Sequence, residues 1–221
     1  MRHVCATRDG GDANGPVGAY AILPAVDTCR HTGRAAGVDR DTIIVEIAGI
    51  RRELPLFEAA PGLVIPVFNM LGDVEVVEAA AAALAPQVPA GAEMLVTTEA
   101  KSIPLAHTLA VKTGLPYVVL RKVYQPYMGA VVEAEALSVM TGKRQALFLE
   151  EKDRVRCAGR KVVLVADVIS SGSNAHVMRT VMNRAGAEVI AEVAVFTEGN
   201  PERGRDVIAL GHLPLFAQVL D

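Results

Sequence analysis

Residues 162–174 read VVLVADVISSGSN, and this stretch decides the fold. Val162 to Val165 form an apolar run too short and too β-branched for a helix. One acid follows at Asp167, then small residues, then apolar residues at helical spacing. The pattern is strand, loop, helix. Ser170, Ser171, Gly172, Ser173 and Asn174 leave the backbone N–H groups of the loop unobstructed at a helix N-terminus, where hydroxyls and the helix dipole favour an anion. That composition suits a phosphate cradle. Its spacing is neither that of the nucleotide-triphosphate loop, which ends Gly-Lys-Ser/Thr, nor that of the dinucleotide-binding Gly-x-Gly-x-x-Gly. The same joint also serves as plain structure in α/β proteins.

Downstream, Val177, Val181 and Ala185 share one helical face with Met178 and Met182 beside them, which reads as core packing, and Gly186 stops the helix. A strand is expected over 189–196, then the turn TEGNPERGRD and a short apolar tail. Upstream, 94–97 reads as a buried strand, 103–113 as a helix with Gly114 as its C-cap, and 117–120 as the next strand. Right-handed crossovers make these strands parallel and bring their C-terminal ends to one edge of the sheet. The joints 98–102, 121–122 and 166–174 are therefore expected to converge.

Further upstream, Asp73 can cap a helix running to Leu84, in which Val74, Val77 and Ala81 repeat and which Pro86 and Pro89 end. Residues 42–48 and 62–68 read as short strands, Pro66 marking an edge or an irregular end. After Lys122, Glu133 and Glu135 alternate with Ala134 and Ala136, and an apolar run returns at 146–149. This is a long hairpin whose Tyr, Pro and Gly content suits a mobile cover over the sheet edge.

The bulk composition narrows the class. With 221 residues, 21% charged, 51% hydrophobic and a net charge of -3, the chain is an ordinary globular protein rather than a disordered or nucleic-acid-coating one. An anionic ligand must then be met by local positive charge. Cys5, Cys29 and Cys157 are odd in number and scattered, which argues for a reducing compartment, and the cytoplasm is the expectation. No signal peptide, membrane span or membrane partner is indicated. Residues 1–40 read as an irregular arm, and neither His3 with Cys5 nor Cys29 with His31 has zinc-site spacing. The arm carries no helix-turn-helix pattern and no basic stripe, so no nucleic-acid partner is expected.

The 162–174 stretch resembles the phosphoribosyl pyrophosphate (PRPP) motif of type I phosphoribosyltransferases: an apolar strand, two acids, two apolar residues and a small-residue loop. Asp167 occupies the place of the second acid and Ala166 that of the first. TTEAKS at 97–102 stands where the family has its pyrophosphate-binding turn, and its context, LVTTEAKSIPLAHTLAVKTGLPYVVLRK, resembles the adenine and xanthine enzymes. ELPLFEAAPGLVI, residues 53–65, resembles their Pro-x-Phe and Pro-Gly hood element, and GRD at 204–206 the C-terminal part of that hood. The resemblance spans roughly residues 44–216.

The resemblance implies an α/β fold with a central parallel sheet flanked by helices, a small hood and a flexible hairpin. The domain would run from 41 to 221, with the hood at 44–72 and 197–221 and the core at 73–196. It also implies displacement of pyrophosphate from PRPP by a purine. The 5′-phosphate would sit on Ser170, Ser171, Gly172, Ser173 and Asn174, and Asp167 would take the ribose hydroxyls as the catalytic carboxylate. Ala100, Lys101 and Ser102, with charge from Arg121 and Lys122, would hold the pyrophosphate. Magnesium would be bound mainly through PRPP with no direct protein ligand, and a homodimer is the expected assembly.

Phe57, Phe68 and Asn69 are the base-pocket candidates. Where adenine enzymes carry Glu-Tyr before Gly-Lys, this chain has Met140 and Thr141 before Gly142 and Lys143. Where xanthine enzymes carry Glu-Lys, it has Glu198 and Gly199, which puts adenine first. The alternatives are xanthine or another nucleobase, and a PRPP- or purine-sensing protein, since Ala166 leaves one acid where the family has two.

Overall fold

The computed structural model describes residues 34–35, 38–39, 41–137 and 144–217. The arm at 1–40 contributes one small ladder to this, in which β1 (Arg34–Ala35) pairs antiparallel with β2 (Val38–Asp39). Its remaining residues, and the Met140 to Lys143 segment, lie outside the described residues.

β3 (Thr42–Ile47), β4 (Ile50–Ala60) and β5 (Leu63–Pro66) form an antiparallel sheet that β13 (Phe216–Ala217) joins, in the order β13-β5-β4-β3. β4 covers most of the stretch between the two strands expected from sequence. Pro55 sits where β4 changes partners, from Thr42 of β3 at Pro55 to Pro66 of β5 at Leu56. A residue without an N–H is tolerated at such a hand-over.

α1 (Val74–Leu84) is capped by Asp73, whose side chain accepts from the Val76 N–H at 3.2 Å. Its buried stripe is Val76, Val77, Ala80, Ala81 and Leu84, and Val74 is 73% exposed. Val77 and Ala81 of the sequence repeat pack as expected, but Val74 does not, because as the N1 residue it precedes the face that packs.

The alternating units follow as expected: β6 (Met94–Thr98), α2 (Ile103–Thr113) with Gly114 at φ 72°, β7 (Tyr117–Leu120), β10 (Lys161–Ile169), α4 (Ser173–Arg184), β11 (Glu188–Glu198) and β12 (Val207–Leu213). They build a five-stranded parallel sheet in the order β12-β11-β10-β6-β7. β12 is its edge strand, so the 197–221 segment is divided. Among the described residues of that segment, only Phe216–Ala217 joins the small sheet.

Side chains of β10 alternate between two cores. Val163 and Val165 join α1, α2 and the small sheet on one face, while Val162 and Leu164 join α4 on the other. The hairpin is β8 (Val132–Leu137) against β9 (Arg144–Leu149), registered from Val132↔Leu149 to Leu137↔Arg144. Ala134, Leu147 and Leu149 are buried in the α4-side core, and Phe148 bridges to Arg121. The described part of the hairpin is therefore anchored by apolar burial rather than free as a cover.

α3 (Glu151–Cys157) was not foreseen, since its charged sequence buries only Asp153 and Cys157. Burial pushes the Cys157 thiol up to about 11, which makes it inert. Among the described residues, no helix is long and apolar enough to cross a membrane.

Candidate functional site at the C-terminal edge of the sheet

The three expected joints do meet. Ser102, the N-cap residue of α2 and 4% exposed, donates its hydroxyl to Asp167 Oδ1 at 3.0 Å and accepts the Asp167 N–H at 2.9 Å. Asp167 faces α2 because it continues the Val163 and Val165 side of β10, so a residue 65 positions away in sequence reaches it from the neighbouring turn. Thr97 adds a second tie, its hydroxyl donating to the Val165 carbonyl at 2.9 Å.

Beyond Ile169 the loop turns sharply into α4. Gly172 is the N-cap residue at φ 76°, and the helical ladder starts with the His176 N–H donating to the Gly172 carbonyl. The N–H groups of Ser173, Asn174 and Ala175 precede that ladder; the Ser173 N–H donates to the Ser171 hydroxyl at 3.4 Å, and those of Asn174 and Ala175 are directed out of the helix start. The Ser171 and Ser173 hydroxyls lie 2.9 Å apart, and Ser170 to Asn174 are all partly exposed. An anion placed here meets backbone donors, hydroxyls and the positive end of the α4 dipole.

The opposite turn has the other polarity. Ala100 and Lys101 are exposed, and the Glu99–Ala100 peptide is cis. Glu99 was not singled out from sequence, yet it joins two elements: it pairs with the Arg121 guanidinium and accepts the Lys122 N–H at 2.9 Å. Arg121 also reaches Glu150 at 3.3 Å, and Glu150 in turn pairs with Lys152 at 2.9 Å. The Lys152 ammonium and Arg121 hold the Glu150 carboxyl below its ordinary range. Arg121 is thus already shared by two carboxylates, while Lys101 and Lys122 are exposed and make no ion pair among the described residues.

The base-pocket candidates separate. Phe57 is 52% exposed and Asn69 is exposed, its side chain accepting the Leu71 N–H. Phe68 is buried, edge-on against Phe196 with ring centroids 5.1 Å apart, and is a core residue. Two further groups at this end of the sheet are Thr197, hydrogen-bonded to His212 Nδ1 at 3.0 Å, and Glu198, 8% exposed. The signal for Glu198 was its place at the end of a long apolar strand, a position sequence reading treated only as a subtype marker.

One Asp167 oxygen accepts from Ser102, which leaves the second available to a hydroxyl or a cation. Among the described residues no three metal-ligating side chains cluster, so a divalent cation here would need most of its oxygens from a bound phosphate ligand.

The chain is 34% identical over 113 residues, 51% of its length, to a hypoxanthine/guanine phosphoribosyltransferase of Methanocaldococcus jannaschii. It is 35% identical over 108 residues to one of Methanothrix soehngenii. These matches take in 58% and 53% of the relatives, so the chain spans less than two thirds of the curated relatives it matches. No family model matches. Among solved structures, adenine phosphoribosyltransferase from Thermoanaerobacter pseudethanolicus superposes with a TM-score of 0.59 at 18% identity, covering 72% of this chain and 95% of that one. The Saccharomyces cerevisiae enzyme, complexed with adenine and an imino-altritol bisphosphate, gives 0.58 at 20% identity, covering 71% and 93%. The parallel sheet and its order thus give the chain the fold of these adenine phosphoribosyltransferases, and over about half its length its sequence is similar to hypoxanthine/guanine phosphoribosyltransferases.

Proposed function

We propose that the chain is a purine phosphoribosyltransferase that transfers the ribose 5-phosphate of PRPP to a purine ring nitrogen. The observation that carries this reading is the Ser102 to Asp167 pair of hydrogen bonds, which locks the turn expected for pyrophosphate to the strand that leads into the phosphate loop. The ring nitrogen forms a bond to the ribose anomeric carbon, the bond from that carbon to the pyrophosphate oxygen breaks, and its electron pair leaves with pyrophosphate. The nitrogen's proton goes to solvent.

Positive charge develops on the ribose and negative charge on the leaving group, so positioning and electrostatics dominate. Ser170 to Asn174 hold the 5′-phosphate at the α4 N-terminus, and Asp167 holds the ribose hydroxyls. Ala100 to Ser102 supply the turn for pyrophosphate, with Lys101 and Lys122 as its free cations. Arg121 instead braces the turn through Glu99. Magnesium, bound on PRPP oxygens beside Asp167, would neutralise the leaving pyrophosphate.

Adenine, placed first from sequence, is favoured by the structural neighbours, and hypoxanthine or guanine by the names of the curated relatives. Incubation with PRPP, magnesium and adenine, hypoxanthine, guanine, xanthine and orotate tests the class. A nucleoside monophosphate from a purine is expected. Absence of product from every base, with PRPP-dependent thermal stabilisation, would instead support the sensing alternative.

A further inference from the structure

Glu198 ends β11 one residue beyond Thr197, which registers with Ile169 of β10, so it stands beside Ser170 at the start of the phosphate loop. It is 8% exposed, its backbone pairs with Leu213 in the ladder, and among the described residues its side chain makes neither a hydrogen bond nor an ion pair. Burial alone pushes its carboxyl above the ordinary carboxylate range. No fully buried side-chain oxygen lacks a partner among the described residues, so the Glu198 carboxylate keeps contact with solvent. A carboxylate so largely enclosed is poorly solvated, and a ligand that brings donors to its accessible oxygens relieves that cost.

The face it occupies is also defined. Strand alternation puts Glu198 on the side of Phe196, two residues earlier, whose ring meets Phe68 of the small sheet. Gly199, immediately after it, packs close to Leu215: a Cβ there would lie 3.3 Å from Leu215 Cδ1. Leu215 leads into β13 of the small sheet. Glu198 thus lies where the sheet edge, the phosphate loop and the small sheet come together.

Resting on the phosphoribosyltransferase reading, we infer that Glu198 is the residue that selects the base. Its two oxygens accept the adjacent ring N–H and exocyclic amino donors of a 2-amino-6-oxopurine. Two parallel donors match a carboxylate in bidentate fashion. A 6-oxopurine without the amino group supplies only one of them. A 6-aminopurine sets a lone pair beside its amino group, and a 2,6-dioxopurine flanks its N–H with two carbonyl oxygens.

The test uses the full chain and its Glu198→Gln variant with PRPP, magnesium and guanine, hypoxanthine, adenine and xanthine in competition. Equilibrium binding of each base is measured in parallel, with PRPP present and magnesium omitted. The wild type is expected to prefer guanine, then hypoxanthine. Glu198→Gln is expected to lose about tenfold or more in kcat/KM and affinity for guanine and to gain relative preference for adenine, whose donor and acceptor pair a glutamine matches. PRPP-dependent stabilisation should stay unchanged. A merely structural Glu198 would lower all bases together. An unchanged guanine-to-adenine ratio overturns the inference, as does a wild type that favours adenine or xanthine or binds no base. Failure of the broader reading is distinct, because it removes the PRPP-dependent stabilisation of the wild type itself.

Discussion

The Ser102 hydroxyl holds Asp167 from both sides, donating to its carboxylate at 3.0 Å and accepting its backbone N–H at 2.9 Å. Replacing Ser102 by Ala leaves that partly buried N–H without its acceptor and frees the carboxylate to rotate. The expected loss is about 1–3 kcal/mol of stability, which for a domain of this size lowers Tm by about 2–4 °C per kcal/mol. PRPP affinity should fall with it. Calorimetric unfolding with and without PRPP reads both quantities, and a variant unchanged in Tm would remove Ser102 from its role as the link between the two turns.

Gly172 stands at φ 76°, and a Cβ built on it meets nothing within 4 Å. Ala at this position therefore adds backbone strain without a clash. A cost of about 1–2 kcal/mol is expected, and Asn, which tolerates the left-handed region better, should cost less. Denaturant midpoints order the three proteins Gly, Asn, Ala. If Gly172→Ala relaxes instead to another backbone conformation, stability is kept but the phosphate affinity of the loop is lost.

Much of this fold was legible because its central strands are apolar runs between glycine- and proline-marked joints, and parallel crossovers leave few ways to arrange them. The convergence of 98–102, 121–122 and 166–174 followed from topology alone. What escaped was decided by tertiary context. α3 has no apolar stripe, so no helical period announced it. β12 is a seven-residue edge strand whose apolar pattern is interrupted by Gly211 and His212, and the glycine suits its place because a Cβ there would lie 3.0 Å from the Phe196 ring. Glu99 and Glu198 were invisible as site residues for a different reason. A carboxylate's role depends on which partners the fold brings to it, and among the described residues the Glu99 side chain has two while that of Glu198 has none.

The small sheet is pinned to the main core by Arg52 of β4, which donates to both Asp73 oxygens at 2.7 and 2.9 Å and to Glu75 at 2.7 Å. The Arg52 hydrogen bonds hold the Asp73 carboxyl below its ordinary value of 3.8. Its folded pKa is thus the lower one, so its contribution is complete above the unfolded value and is lost as pH falls through the folded value. Stability should therefore drop below about pH 4. Asp73→Asn keeps a capping side chain and loses the charge, so it should cost about 1 kcal/mol at pH 7 and flatten that acid limb. Urea unfolding at pH 7, 4 and 3 measures it, and parallel pH curves for the two proteins would refute the assignment.

Ala166 follows Leu164 on the α4 side of β10, so it and Asp167 face opposite sides of the strand. It is partly exposed and registers with Ala194 of β11, which leaves room on that side for a longer side chain. Ala166→Asp would place a second carboxylate on the α4 side of the strand, opposite Asp167, where it meets the ribose hydroxyls and magnesium only if the bound sugar spans the end of β10. One added hydrogen bond of about 1 kcal/mol corresponds to roughly fivefold tighter PRPP binding, or to a similar gain in turnover if it forms mainly in the transition state. Without ligand, two acids in sequence repel and the variant should unfold at lower temperature than the wild type, the difference narrowing when PRPP and magnesium are added. Titration of PRPP by calorimetry and steady-state turnover with a purine give the two readouts. No change in either would show that this position does not reach the ribose.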